Sequence, residues 1–345
     1  MSNRSRLLLL SGPGGAGTTS LVAATARALA DEGLRSHVVD ASVRDAPNPE
    51  VVAGIRSSIG RVLHELGADP LHVAAWSGLP CVAHLSTLRE VLVALADPQV
   101  DAVIVDCGPL ERARELIETP AVVVRLLDAA LTPRMAMWRS PGEPDSESTV
   151  FEGFSDARHE VRRMQKSLSH PDTVARLVTT ADASAVTRTL AAVSTMCLLG
   201  VGTDGVIVNR FTPEHDEQVS RLRKELDGLS MWTSTTALRP SPDERSALGP
   251  LSRRRVLSED ALTLTERGDD YVLEVPIMGA ASARAMVGRL ADDLVVTING
   301  AHRWLALPAV LRRCIAVEAR RGDHGLTVRF TPDPAVWRQP AGTAL

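Results

Sequence analysis

The chain has 345 residues, 44% of them apolar and 23% charged, with a formal net charge of −4. That is enough to bury a core and divide into about two domains, which argues against disorder, and the small, mixed charge argues against a nucleic-acid surface. Four scattered cysteines with no C-x-x-C pair argue against a disulfide framework or a structural zinc and fit reduced thiols in a cytoplasm, so a cytoplasmic location is expected.

In chain order, Arg6 to Ser11 reads as a buried strand, because a short apolar run stops at a Gly-rich turn. Its run Leu7 to Leu10 is too short for a signal sequence, and no segment has the length of a membrane span, so no integral membrane segment is expected. A helix follows from Thr18, with Leu21, Thr25, Ala28 and Leu29 on one face and Gly33 where it would stop. Ser36 to Asp40 is a second short strand ending in a carboxylate. Val100 to Val105 and Gly205 to Val208 are further apolar runs that close on Asp106 and Asn209. This pattern predicts an α/β doubly wound parallel sheet, with ligands at the carboxyl ends of the strands.

Between those last two strands, Phe151 to Leu177 has a helical period and Arg139 to Thr149 has linker composition, so a mostly helical insertion is expected over about 112–180. Ala121 to Leu127 (AVVVRLL) fits a strand by its β-branched content and a helix by its position. A Pro-, Ser- and Arg-rich stretch from Arg239 to Arg255 reads as a second linker. After it come short alternating runs beginning at Tyr271, Leu294, His302 and Leu326, the pattern of a small all-β sandwich. The expected division is a nucleotide-binding-type domain over 1–238, a linker over 239–267, a β-sandwich over 268–337 and a tail over 338–345.

The turn after the first strand is SGPGGAGTTS, Ser11 to Ser20. In G-x-x-x-x-G-K-S/T loops, glycines let backbone N–H groups surround phosphates, the lysine neutralises the β/γ oxygens and the hydroxyl binds Mg²⁺. Gly12, Gly17 and Thr19 match, but Thr18 takes the lysine position, and the chain's two lysines are Lys166 and Lys224. On its own the loop fits a ligand-free strand-to-helix turn as well as a nucleotide site. Asp40 and Asp106 likewise fit strand-end caps as well as metal or water ligands.

With these segments in view, the chain resembles the ArsA-type anion-pump and tail-anchored-protein-targeting ATPases, in particular actinobacterial members with an appended small-heat-shock-like domain. The family loop, G-K-G-G-x-G-K-S/T-S/T, is matched with Pro13 and Thr18 in place of both lysines. DAVIVDCGPLERARELIETP, Asp101 to Pro120, is similar to the family's D-x-A/G-P-T-G-x-T-L-R-L-L-x-x-P switch region. WSGLP (Trp76 to Pro80) and TVARLVTTADASAVTRTL before GVIVNRF also resemble family segments, as does the C-terminal part through Trp337.

The resemblance implies a P-loop ATPase fold with a C-terminal β-sandwich, and ATP or ADP with Mg²⁺ as cofactors. It implies that Gly12, Gly14, Gly15 and Gly17 wrap phosphates, with Thr18, Thr19 and Ser20 completing the cradle. Thr19 and Asp106 would serve the metal, Asp40 would orient the attacking water and Asn209 would read the base. A homodimer, or a heterodimer with a related subunit, and a client protein are the implied partners. The T-G-x-T part of the switch is replaced by Leu110, Glu111, Arg112 and Ala113, and both lysines are lost. The expectation is therefore a site that binds nucleotide weakly or not at all, with hydrolysis weak or absent. Two alternatives remain open: an ATPase rescued by another cation, such as Arg44 or Arg112, and an adaptor whose loop is only a turn.

Other candidates have plainer readings. His64, His72, His84 and Cys81 match no compact metal-ligand spacing and read as surface or packing residues. Cys107 is expected to be buried and inert. The arginines of SRRRV, Ser252 to Val256, read as a solvated linker.

Overall fold

Leu7 and Leu9 face one apolar layer, while Leu8 and Leu10 face another. A strand buried on both faces needs no alternation of polar residues, which is why it reads as a continuous leucine run. In the computed structural model, residues 5–42, 80–137, 147–234, 262–277, 285–290, 292–322 and 325–335 are described. Readings that fall on Arg44, His64, His72, Trp76 to Leu79 and Arg239 to Arg255 lie outside them.

The leucine run is β1 (Arg6–Gly12), followed by α1 (Thr18–Asp31) and β2 (Ser36–Asp40). Next come α2 (Pro80–Ala96), β3 (Ala102–Pro109), α3 (Leu110–Met137) and α4 (Glu147–Leu168). The domain is completed by β4 (Thr173–Thr179), α5 (Ala183–Leu199), β5 (Gly202–Asn209), α6 (Asp216–Glu225) and β6 (Ser230–Ser234). The six strands form one parallel sheet in the order β2-β3-β1-β4-β5-β6. β1 lies between β3 and β4, so the loop after it opens where the strand order diverges, the place such sheets bind ligands. Helix α1 covers one face, and α2, α3 and α4 pack on the other.

Two local readings change and one open one is settled. The helical reading of Phe151 to Leu177 is right only as far as Leu168; Thr173–Thr179 is a central strand, so the helical part of the 112–180 stretch stops short of its expected end. Arg176, charged and in mid-run, disguised that strand; its charge is answered by Asp204 on β5 at 2.6 Å, both side chains being wholly buried. Ala121 to Leu127 is helical within α3, which continues through Pro120. Finally, Thr263–Arg267, read as linker, is a strand paired with the one that follows.

That strand is β7, and β8 (Asp270–Pro276), β9 (Ala285–Leu290), β10 (Asp293–Ile298), β11 (Ala301–Ala306), β12 (Cys314–Gly322) and β13 (Gly325–Pro332) follow. They make two antiparallel sheets, β11-β10-β9 and β12-β13-β8-β7. Alternate residues such as Leu294, Val296 and Ile298 fill the space between the sheets with Leu273, Val328 and Phe330. Leu198, at the end of α5, belongs to the same core, and the Arg303 guanidinium donates to its carbonyl at 2.7 Å. Among the described residues, no helix is long and apolar enough to cross a membrane.

Candidate functional site

The carboxyl edge of the sheet gathers the predicted residues. Asp40 and Asp106 stand opposite each other in the β2–β3 register, and Asp106 is also opposite Leu10 of β1. The loop leaves β1 beside them. Gly15 and Gly17 have φ of 81° and 88°, a left-handed backbone that other residues rarely adopt. Gly17 is the N-cap of α1 and supplies no side-chain cap, which leaves the first-turn N–H groups to the loop side.

The glycines do not share one role. A Cβ on Gly12 would lie 2.2 Å from the Val178 carbonyl oxygen and 3.1 Å from the Thr18 hydroxyl, whereas one on Gly14 or Gly15 would meet nothing within 4 Å. Gly12 is thus required by the neighbouring strand. Thr18 is buried, its hydroxyl close to Gly12, while Thr19 is exposed and Ser20 half-buried.

Each carboxylate has a local partner. Asp40 Oδ1 accepts from the Ser42 amide at 2.8 Å and the Ser42 hydroxyl at 2.6 Å, and Asp106 Oδ1 accepts from the Gly108 amide at 2.9 Å. These are Asx-type turns that hold the strand ends. Asp106 is buried and Asp40 exposed. Asn209, also buried, donates from Nδ2 to the Ala16 carbonyl at 2.7 Å and accepts from the Arg210 amide at 2.9 Å. Its side chain therefore ties β5 to the loop itself.

Several contacts made at this edge carried no sequence signal, although Arg112 and Glu111 are legible as replacing the switch motif. Ser11 Oγ donates to the Gly108 carbonyl at 3.0 Å, joining the loop to the end of β3. Arg112 Nε donates to the Ala41 carbonyl just beyond Asp40, and Glu111 pairs with Arg188 of α5 at 3.0 Å. The residues that replace the switch motif therefore form the anchored first turn of α3. Pairings of this kind join distant segments and leave no periodic trace. Cys107 is wholly buried and its thiol is pushed well up, chiefly by burial and then by Asp106, with Arg112 partly offsetting. His84 packs between helices, its Nδ1 3.1 Å from Thr119 Oγ1.

The donor set suits a phosphate group through backbone N–H groups, with a hydroxyl at Thr19 and carboxylates at Asp40 and Asp106 for a hydrated Mg²⁺. It offers no lysine. Lys166 and Lys224 sit in the last turns of α4 and α6, which lead into β4 and β6 and so approach the opposite edge of the sheet.

Comparison with known proteins decides the family. The family model described as "Anion-transporting ATPase" matches residues 50–229, and one described as "HSP20-like domain found in ArsA" matches residues 268–330. The chain belongs to the ArsA ATPase family. Among its relatives is the protein named "Uncharacterized protein SCO2128" of Streptomyces coelicolor, 29% identical over 96% of this chain and 99% of that one. Another is "Protein Rv2184c" of Mycobacterium tuberculosis, 27% identical over 89% of this chain and 77% of that one. The ATPase match covers β3, β4 and β5 with α2 to α6, and the HSP20-like match covers the sandwich from β8 to most of β13. ArsA-family ATPases generally bind a nucleotide and Mg²⁺.

Proposed function

We propose that this chain is an ArsA-family subunit with a degenerate ATP site, one that senses nucleotide or is catalytically impaired and acts on a client or partner protein. The observation that carries the reading is Thr18: it holds the position of the loop lysine and is buried, with its hydroxyl close to Gly12. Phosphoryl transfer rests on positioning and charge stabilisation, and loss of one preorganised donor costs about 2.7–4 kcal/mol. Losing both loop lysines costs more than that. When bound, Mg²⁺–nucleotide would supply the reactive phosphoanhydride and the metal's charge. The chain's own part is a backbone cradle over Gly14 to Ser20, a hydroxyl at Thr19, and Asp40 and Asp106 at the β2–β3 edge, with Asn209 bracing the loop.

A family-type arrangement pairs the subunit with itself or with a related chain across a two-fold axis. Sedimentation of the chain, alone and mixed with a co-encoded homologue, tests this. A strict monomer at about tens of micromolar, where modest interfaces persist, argues against it.

The deciding experiment is calorimetric titration of the purified protein with Mg-ATP and Mg-ADP, followed by turnover with and without that homologue. Weak binding with turnover near background supports the proposal. No binding at all supports the adaptor reading. Rapid hydrolysis abolished by Asp40→Asn supports a rescued ATPase instead, a reading favoured by one contact, the reach of Arg112 to the end of β2. Arg112→Gln should abolish that activity as well.

A further inference from the structure

Helix α3 begins at the loop edge and carries the sandwich along its side. Arg114, Glu118 and Arg125 fall at helical spacing on one face, and each meets the β10–β11 hairpin. Arg114 donates to the Gly300 carbonyl at 2.7 Å, Glu118 accepts from the His302 amide at 2.7 Å, and Arg125 pairs with Asp293 at 2.8 Å. Arg125 also lies over the Trp304 ring, 4.6 Å from its centre. Two of these grips precede Pro120 and one follows it, so the sandwich holds both sides of the position where proline removes a helix hydrogen bond.

Beside these grips the packing is open. A pocket of about 570 Å³, partly open to solvent and mostly polar, lies between the helices and the hairpin, lined by the gripping residues Glu118, Arg125, Asp293 and His302 with Ile117 and Val124. α3 is buried on the sheet through Ala113 and Leu116, and on its sandwich side it is held by discrete polar contacts rather than by a packed apolar seam. Its first turn ends in the contact that fixes the other side of the ATPase edge, Arg112 on the Ala41 carbonyl.

We propose that the sandwich is a regulatory element that acts on the loop edge through α3: release of the β10–β11 grips lets the first turn of α3 shift, withdraws Arg112 from Ala41 and loosens the Asp40–Asp106 pairing. The coupling works in both directions, as equilibrium coupling must. It stands whether or not nucleotide binds.

Hydrogen exchange on the full chain, followed by mass spectrometry, tests it without any ligand. The Ala41 amide donates to the Asp106 carbonyl at 2.8 Å and the Ser42 amide to Asp40 at 2.8 Å, so the peptide covering Ser36 to Ser42 reports the edge. Arg114→Ala combined with Arg125→Ala should speed exchange there several-fold. Arg329→Ala, which breaks an ion pair with Asp270 inside the sandwich, should leave it unchanged. In the reverse direction, Arg112→Ala should speed exchange over Ala301 to Ala306, where the His302 amide is held by Glu118. This arm decides alone if the double variant does not fold. Faster exchange confined to the mutated side would overturn the proposal.

Discussion

The amide of Asn209 donates to the carbonyl of Ala16 at 2.7 Å, across 193 residues of chain, inside a fully buried pocket. β5 and the loop after β1 are thereby fixed to each other although β4 separates their strands. Removing one partner of a buried hydrogen bond leaves the other unsatisfied, at a cost of about 1–3 kcal/mol. Asn209→Ala should lower stability in urea by that amount, and a change within about 0.5 kcal/mol would mean that water or a shifted backbone replaces the bond.

Thr18→Lys restores a cation to the loop. It should strengthen Mg-ATP binding in calorimetry by no more than about 3 kcal/mol, the upper scale of a charge-assisted hydrogen bond. Little hydrolysis should return with it, because Leu110 and Arg112 keep the first turn of α3 anchored. Vigorous turnover in this single variant would place the whole defect at position 18.

Arg176 and Asp204 form a bidentate pair at 2.6 and 3.2 Å with no exposure, and the guanidinium lies 4.7 Å from the centre of the Trp232 ring. Breaking such a pair from one side strands a buried charge, so Arg176→Ala or Asp204→Ala should cost about 3–5 kcal/mol. The combined Arg176→Met and Asp204→Leu variant should regain much of that loss. Denaturant titration of all three separates a need for charge from a need for filled volume.

Glu118 has its carboxyl pushed above the usual glutamate range by burial, with the His302 amide and Arg114 partly offsetting. A carboxyl that binds its proton more tightly when folded gives up stability as pH rises through the window between the two states' values. The window opens near the ordinary glutamate value of about 4.3 and extends upward. Glu118→Gln keeps an oxygen acceptor for His302 and removes the charge. Its stability relative to the native chain should therefore improve as pH rises from about 4 to 7, read as the difference between two urea-midpoint profiles. The difference isolates Glu118 from Asp101, Asp182 and Asp270, whose values are lowered and act in the opposite sense.

The sheet edge was legible at β2, β3 and β5, where a short apolar run closes on one polar residue, Asp40, Asp106 or Asn209. The resemblance to the family loop located the glycines for the same reason, since backbone geometry writes itself into residue type. Strand β4 was not legible: Arg176 interrupts its apolar pattern, and Asp204, which neutralises it, lies 28 residues on. The edge strand β6 is only five residues long, and three of them are Ser or Thr. The docking of the sandwich on α3 and α5 was invisible for another reason. It is made by exposed-looking arginines, Arg114, Arg125 and Arg303, whose partners are carbonyls, a carboxylate and an indole that no local pattern identifies.

Gly12, crowded by the Val178 carbonyl, and Gly14, facing open space, will have different fates over evolutionary time. Any descendant of this chain that keeps β4 beside β1 must keep glycine at 12, whether or not it ever meets a phosphate. Position 15 is held by its left-handed backbone. Position 14 has neither restraint, so it alone among these three is free to drift once nothing needs the loop's close approach. A lineage in which 14 accumulates side chains while 12 does not would be recording the loss of a ligand, and a glycine count over the loop would miss it.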